Sequence, residues 1–370
     1  MKKIPLNMPY FGEEEIKAAT DSIKSTWVVG DGPKCREFEA ELAKYLKVKH
    51  AFIVTSGTAA LDLAVKTAGI KGDIIVPNFT FTATALAATL NNCKPVLVDV
   101  QLDTINIDPE LIKKNIKDNS KAIIPVDYAG HPCDIDEINQ IAKENNLITI
   151  QDSAQSIGSE YKDKKIGSLM DLTCFSFHST KNITSGEGGA ITTNNDEYAE
   201  KIKIIREKGT DKHKYIGTNK KGYQEAISIG NSYVQSDILA AIVLEQLKKL
   251  DKINEMRRKN AEYLNKNLQG VVEIPKIRSY AKTNWSLYCI RVPKEKRDSF
   301  ISLLSENGVG ANVHYCPLHL NKYYKELLNH KKEDFPISNQ IFDTLIRLPM
   351  YPQLTKEELD HIIESVKQLK

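Results

Sequence analysis

With 370 residues and 41% hydrophobic content the chain is long enough to bury two domain cores, and its net charge of +3 arises from 51 basic and 48 acidic residues mixed along the sequence. It has no basic stripe of the kind that binds nucleic acid, no apolar run approaching the ~18 residues of a membrane span, and no apolar core behind the start MKKIPLNMPYFGEEEI. Six cysteines at 35, 93, 133, 174, 289 and 316 form no C-x-x-C pair, so neither a disulfide framework nor a metal knuckle is indicated, and a cytoplasmic protein with reduced thiols is expected.

From about residue 51 to 195, β-branched runs alternate with helix-length amphipathic segments. AFIVTS reads as strand, TAALDLAVKTA as helix, DIIVP as strand and FTATALAATLNN as helix. KPVLVDV, KAIIPVDYAG, LITIQDSA, TCFSF and AITTNN continue the strands, with DPELIKKNIK and DIDEINQIAKENN as helices between them. Nearly all these strands are continuously apolar, as strands covered on both faces should be. Apolar positions at helical spacing over residues 236–268 predict one long helix that joins the large domain to a smaller one. The remainder, with WSLYCIRV, DSFISLLSENGV and TKEELDHIIESVKQL, reads as a second α/β unit.

Ligands of open α/β sheets gather at the carboxyl ends of strands, and four such ends are unusual here. In TSGTAA, Ser56, Gly57, Thr58 and Ala59 open a helix, offering free N–H groups and a dipole end to a phosphate; an ordinary N-cap needs the same residues. Phe81 in PNFTFTATA lies where a ring can stack on a planar ligand or simply fill core. Asp152 ends an apolar strand, where a carboxylate needs a positive partner or a helix to cap, with Gln155 three residues on. Lys181 sits in CFSFHSTKNITSGEGG, where an apolar strand end would depress its pKa and free its amine to attack a carbonyl. One small molecule uses all four: pyridoxal 5′-phosphate needs a cradle for its phosphate, a plate for its ring, a carboxylate for its pyridine nitrogen and an amine for its aldehyde.

These residues, with STWVVGDGPKCREFE, IPVDYAGHPCDID, HYCPLH and RLPMYPQLT, give the chain a full-length resemblance to the sugar aminotransferases of the DegT/DnrJ/EryC1/StrS family. Its most specific element is QDSAQ followed, 29 residues after Asp152, by the lysine of FSFHSTKN. The resemblance implies fold type I: a large domain over residues 1–250 with a mostly parallel seven-stranded sheet, and a smaller C-terminal α/β domain over 251–370. It further implies that Lys181 forms the internal Schiff base, that Asp152 pairs with the pyridine nitrogen, and that Gln155 sits beside the 3-hydroxyl. Phe81 would stack on the ring, with Gly57, Thr58, Ala59 and Ser176 around the phosphate. His314 and His319 in NVHYCPLHL would line the sugar pocket, although isolated histidines are more often structural.

Where the family carries G-x-N-x-R-M, whose asparagine reaches the neighbouring subunit's cofactor, this chain reads IGNSYVQSDILAA. The asparagine position falls on Ser232, with Asn231 one residue early, so one of these two is expected to complete the partner's site in a homodimer. REKGTDKHKY and IGNSYVQSD are similar to the subset that aminates thymidine-diphosphate 4-keto-6-deoxyhexoses for cell-surface polysaccharide such as lipopolysaccharide. By the same resemblance the amino donor is L-glutamate. The alternatives are amination at C3, and a dehydratase of the same fold, which would carry histidine in place of Lys181.

Overall fold

The computed structural model describes residues 3–216, 218–220 and 222–369. Runs of Ile, Val and Phe too short for helices become β1 (His50–Val54), β2 (Asp73–Pro77), β3 (Lys94–Val98), β4 (Ser120–Ile123) and β5 (Ile148–Asp152). A hairpin of β6 (Glu160–Tyr161) and β7 (Lys164–Lys165) precedes β8 (Leu172–Ser176) and β9 (Gly189–Thr193). β10 (Ala281–Lys282) joins that hairpin, and β11 (Tyr288–Arg291) pairs antiparallel with β12 (Leu345–Leu348) in the C-terminal unit.

The large sheet has seven strands in the order β1-β9-β8-β5-β4-β2-β3. β9 runs antiparallel to both its neighbours, and the pairs from β8 to β3 are all parallel. The expected mostly parallel sheet is therefore present. Its apolar strands are covered on both faces. One face packs on Phe38, Leu42 and Leu46 of the helix Pro33–Leu46, the other on Ala60, Leu61 and Ala64 of the helix Gly57–Ala68. Phe38 meets Phe177 edge-on, with ring centres 5.4 Å apart.

The single long helix expected over 236–268 is broken. It forms Asp237–Lys248 and Leu250–Leu268, with Lys249 between them at φ −97° and ψ −3°. No proline or glycine marks the break; the ammonium of Lys249 is instead tied to Glu14 at 3.0 Å and Glu15 at 2.8 Å, on the N-terminal helix Glu13–Lys24. The second segment spans both units: Leu250 and Ile253 belong to the large core, whereas Ala261, Leu264 and Leu268 belong to the small one. A division at residue 250 thus falls at the start of this bridging helix. The N-terminal arm crosses the division as well. Ile4 donates to the carbonyl of Gly308 and accepts from Gly310, and Leu6 accepts from Met350, all in the C-terminal unit.

Phe38 carries the contact between its helix and the sheet, so Phe38→Ala should lower the stability of the large domain by about 3–5 kcal/mol. Urea unfolding followed by circular dichroism checks this; a change under about 1 kcal/mol would mean that the site collapses around the cavity.

Candidate active site

Parallel strands bring their carboxyl ends to one edge of the sheet, and there the ends of β1, β5 and β8 border a cleft of about 410 Å³. At its base lies Asp152, the last residue of β5 and only 6% exposed. Its carboxylate accepts from the Thr84 hydroxyl at 2.8 Å and from the Ala154 N–H at 3.2 Å. Burial raises its pKa, while those two donors and the cation of Lys181 oppose the rise.

A second carboxylate holds this one in place. Asp127 is fully buried and accepts from Ser153 at 2.9 Å, Ser156 at 2.6 Å, Gln151 at 3.0 Å and the Cys133 N–H at 3.0 Å. Three of these donors flank Asp152 in sequence, so Asp127 fixes the turn that aims it. Gln155, on the same turn, accepts from the Ala129 N–H at 2.6 Å and donates to the Tyr315 hydroxyl at 2.9 Å.

Lys181 lines the cleft, partly buried, in the loop after β8. Burial is the main cause that lowers its pKa to about 8; the charge of Arg347 adds to the effect and that of Asp152 resists it. Near neutral pH a useful fraction of this amine is uncharged. Across the cleft, Gly57 and Thr58 begin the helix Gly57–Ala68 at the end of β1. Gly57 and Ser176 are so close that a Cβ on Gly57 would stand 2.8 Å from that of Ser176. Backbone N–H groups at a helix start, a hydroxyl, and room kept open by a missing Cβ make an anion cradle.

Phe81 is 53% exposed at the start of the helix Thr82–Leu90, its ring centre 5.5 Å from that of Tyr315, so it borders the cleft rather than filling core. His314 also borders the cleft, and burial, helped by Arg347 and Lys181, depresses its pKa to about 3. It is a neutral ring. Four expected residues stand elsewhere. His319 is not in the cleft: 1% exposed, it bonds Asn78 at 2.8 Å and packs on Phe335, because the short turn Leu318–Leu320 is tied to Asn78 by the Leu318 N–H. Ala59 does not line the cleft either, and its N–H is taken by the Ser56 hydroxyl at 3.0 Å. Ser232 and Asn231 are exposed and outside this chain's cleft, with Asn231 Oδ1 accepting from the Ser232 N–H. Thr84, Asp127, Tyr315 and Arg347 were missed. Each lay within a stretch already singled out, Thr84 in PNFTFTATA, Asp127 in IPVDYAGHPCDID, Tyr315 in NVHYCPLHL and Arg347 in RLPMYPQLT, but nothing local distinguished it there.

The sequence from residue 9 to 367 matches the DegT/DnrJ/EryC1/StrS aminotransferase family. The chain belongs to this family. It is 40% identical to the uncharacterized protein MJ1066 of Methanocaldococcus jannaschii, over 99% of this chain and 97% of that one. It is 34% identical to the spore coat polysaccharide biosynthesis protein SpsC of Bacillus subtilis, with the same coverage. Among solved structures, the PMP-form of the putative sugar aminotransferase Spr1654 from Streptococcus pneumoniae superposes with a TM-score of 0.94 at 30% identity, covering 99% of this chain and 98% of that one. The PLP-form of the same protein gives 0.92. The cofactor of this aminotransferase is pyridoxal phosphate, and the residues of the cleft fit it: an anion cradle, a buried carboxylate and an amine of lowered pKa.

Two outcomes follow. Gly57→Val fills the cradle against Ser176, so affinity for the cofactor should fall at least about tenfold by absorbance titration while the fold persists; unchanged affinity would remove Gly57 from the cradle. In the apoprotein, Lys181 is nucleophilic only when neutral, so its rate of covalent capture of the cofactor should rise with pH through a midpoint near 8 rather than 10.5. Asp152→Asn removes a charge that raises this value, and the midpoint should move lower still.

Proposed function

We propose that this aminotransferase moves an amino group from L-glutamate to C4 of a nucleotide-linked 4-keto-6-deoxyhexose, most simply a thymidine-diphosphate sugar. The observation that carries the transamination is Lys181 beside Asp152 in one cleft, opposite the Gly57–Ser176 cradle. A sugar acceptor is supported by relatives described as a putative sugar aminotransferase and as a polysaccharide biosynthesis protein. The segments REKGTDKHKY and IGNSYVQSD support the 4-keto subset, and with it a place in cell-surface polysaccharide assembly in the cytoplasm.

When bound, pyridoxal phosphate supplies an aldehyde that exchanges with amines and a ring that accepts an electron pair. Gly57, Thr58 and Ser176 would hold its phosphate, Phe81 its ring face, and Gln155 its 3-hydroxyl. Asp152 would stay ionised against a protonated ring nitrogen, a charge pairing that lifts the nitrogen's pKa by about one to three units. Lys181 would have two tasks: its Nζ would hold the cofactor's aldehyde and, when free, would take and return the proton on the donor's α-carbon. A pKa near 8 suits both, since the amine is neutral often enough to react and basic enough to accept the proton. His314 stays neutral at neutral pH and so donates no ring proton of a cation to the cleft.

Ser232 and Asn231 are proposed to reach the cofactor phosphate of a second copy in a homodimer. Support comes from their exposure and from the exposed apolar side chains of Ile227, Ile229 and Trp27–Val29 near the chain segments that would meet. Amination at C3 is the nearest rival, because turning the sugar in the cleft changes the reacting carbon and no cofactor residue. The presence of Lys181 disfavours a dehydratase.

Lys181→Ala should purify without the visible absorbance of a covalently held cofactor and lose turnover by at least about 10⁴-fold; normal colour and rate would sink the assignment. For the substrate, wild-type enzyme given thymidine-diphosphate 4-keto and 3-keto sugars should yield nitrogen at C4 by NMR of the product. Nitrogen at C3, or turnover with free 2-oxo acids alone, would overturn the sugar specificity while leaving Lys181 and Asp152 in place.

A further inference from the structure

Thr84 lies inside the helix Thr82–Leu90, and a threonine inside a helix ordinarily returns its hydroxyl proton to the carbonyl three or four residues back. The chain does this elsewhere: Thr89 of the same helix donates to the carbonyl of Leu86 at 3.1 Å, Thr20 to that of Ile16 at 2.8 Å and Thr344 to that of Gln340 at 2.7 Å. Thr84, fully buried, sends its proton out of the helix instead, to Asp152 Oδ2 at 2.8 Å. Four residues back along the chain is a second hydroxyl, Thr80, whose Oγ1 lies 2.9 Å from that of Thr84. Thr80 is also buried, borders the cleft, and directly precedes Phe81, the N-cap of the helix.

The carboxylate fixes the direction in which these groups are linked. An ionised carboxylate only accepts and a hydroxyl has one proton, so Thr84 gives its proton to Asp152 and the contact between the two threonines carries the proton of Thr80. The order is Thr80 to Thr84 to Asp152. Donation into a hydroxyl polarises it and makes it a stronger donor in turn. The other carboxylate oxygen, Oδ1, accepts from the Ala154 N–H at 3.2 Å, so both oxygens are held and the group cannot turn freely.

The surroundings make this chain of hydroxyls matter. Burial raises the pKa of Asp152, and the Thr84 hydroxyl is foremost among the groups that oppose the rise, ahead of the Ala154 N–H and the charge of Lys181, while the charge of Asp127 adds to it. Cys174 of β8 and Tyr315 also feel the charge of Asp152, and burial pushes both of their pKa values up, so neither ionises beside it at neutral pH.

We infer that Thr80 is a positioning residue for this reaction: by donating to Thr84 it commits the Thr84 proton to Asp152, and so holds that carboxylate ionised and aimed. The inference rests on the transamination reading above for its consequence, since the ring nitrogen is what the carboxylate would hold. Its geometry stands on the apoprotein alone.

The test begins with the apoprotein, where infrared difference spectra against Asp152→Asn isolate the titration of the Asp152 carboxyl. Thr80→Val removes the hydroxyl and keeps the branched shape; the weakened Thr84 donor then favours the neutral acid, and the midpoint should rise. Thr80→Ser keeps the donor and should restore it. Thr84→Val should raise the midpoint further, and adding Thr80→Val to it should change nothing more, because Thr80 acts only through Thr84. In the loaded enzyme Thr80→Val should lower kcat for the amino-donor half-reaction about tenfold with little change in KM, the size expected for a hydrogen bond to a charged group, and Thr80→Ser should recover it. Neutron diffraction of the wild type, which needs no variant to fold, should place the Thr80 deuteron on the line to Thr84 and the Thr84 deuteron on the line to Asp152. A wild-type midpoint in Thr80→Val, a Thr80 effect that persists in the Thr84→Val background, or a Thr80 deuteron turned away from Thr84 would each overturn the inference. A wild type that neither captures the cofactor through Lys181 nor reacts with any amino donor would overturn the transamination reading, and with it the role of Thr80 in the reaction.

Discussion

Everything at this site depends on keeping a carboxylate ionised where the sheet is driest. Asp152 is buried at the end of β5, and burial alone would favour its neutral form. The fold opposes that tendency with the Thr84 hydroxyl, the Ala154 N–H and the nearby ammonium of Lys181. The same burial acts in the reverse sense on Lys181, pulling its pKa from 10.5 to about 8. One environment thus produces an acid that needs a cationic partner and an amine that is ready to react. The cofactor is the molecule that answers both, with a protonated ring nitrogen for the first and an aldehyde for the second.

A carboxylate so placed must also be aimed, and the aim is set by Asp127. It collects donors from Gln151, Ser153 and Ser156, the residues on either side of Asp152 and next to Gln155. Its own pKa is raised by burial, and its charge disfavours the ionised form of Asp152 in turn. Two carboxylates so near each other are a cost of about the size that several charge-assisted hydrogen bonds can offset. The turn from 151 to 156 therefore leaves little freedom in where Asp152 points.

What the sequence made legible was local. Strand ends, the glycine that opens the cradle, and the spacing from Asp152 to Lys181 are readable because each is a short pattern governed by periodicity or by backbone freedom. The break at Lys249 was not, since no helix breaker marks it and the ion pairs of Lys249 with Glu14 and Glu15 join residues more than two hundred positions apart. Nor were Thr84, Asp127 and Arg347, which look like an ordinary helix threonine, loop acid and strand arginine until the fold sets them beside the cleft. His319 failed for the opposite reason. Its motif suggested the pocket, and the hydrogen bonds of Asn78 turned it into the core. For Phe81 the residues alone left plate and core both open, and at a helix start beside an open cleft its large ring is exposed.

The loop that carries Lys181 is clamped from three remote parts of the chain. Asn7 of the N-terminal arm donates to the carbonyl of Ser179 at 3.0 Å and accepts from Arg257 of the bridging helix. Asn182 donates to Asn254 of that helix at 2.8 Å and to the carbonyl of Asn284, in the C-terminal unit, at 2.9 Å. A lysine that must first hold an aldehyde and then carry a proton over a few ångströms gains from a rigid backbone, because only its own side-chain torsions then need to change. The arm, the bridging helix and the small unit, which contribute few groups to the cleft itself, therefore act on the chemistry by fixing the point from which Lys181 swings. Arg347, on β12 of the same small unit, adds positive charge that bears on Lys181 and His314.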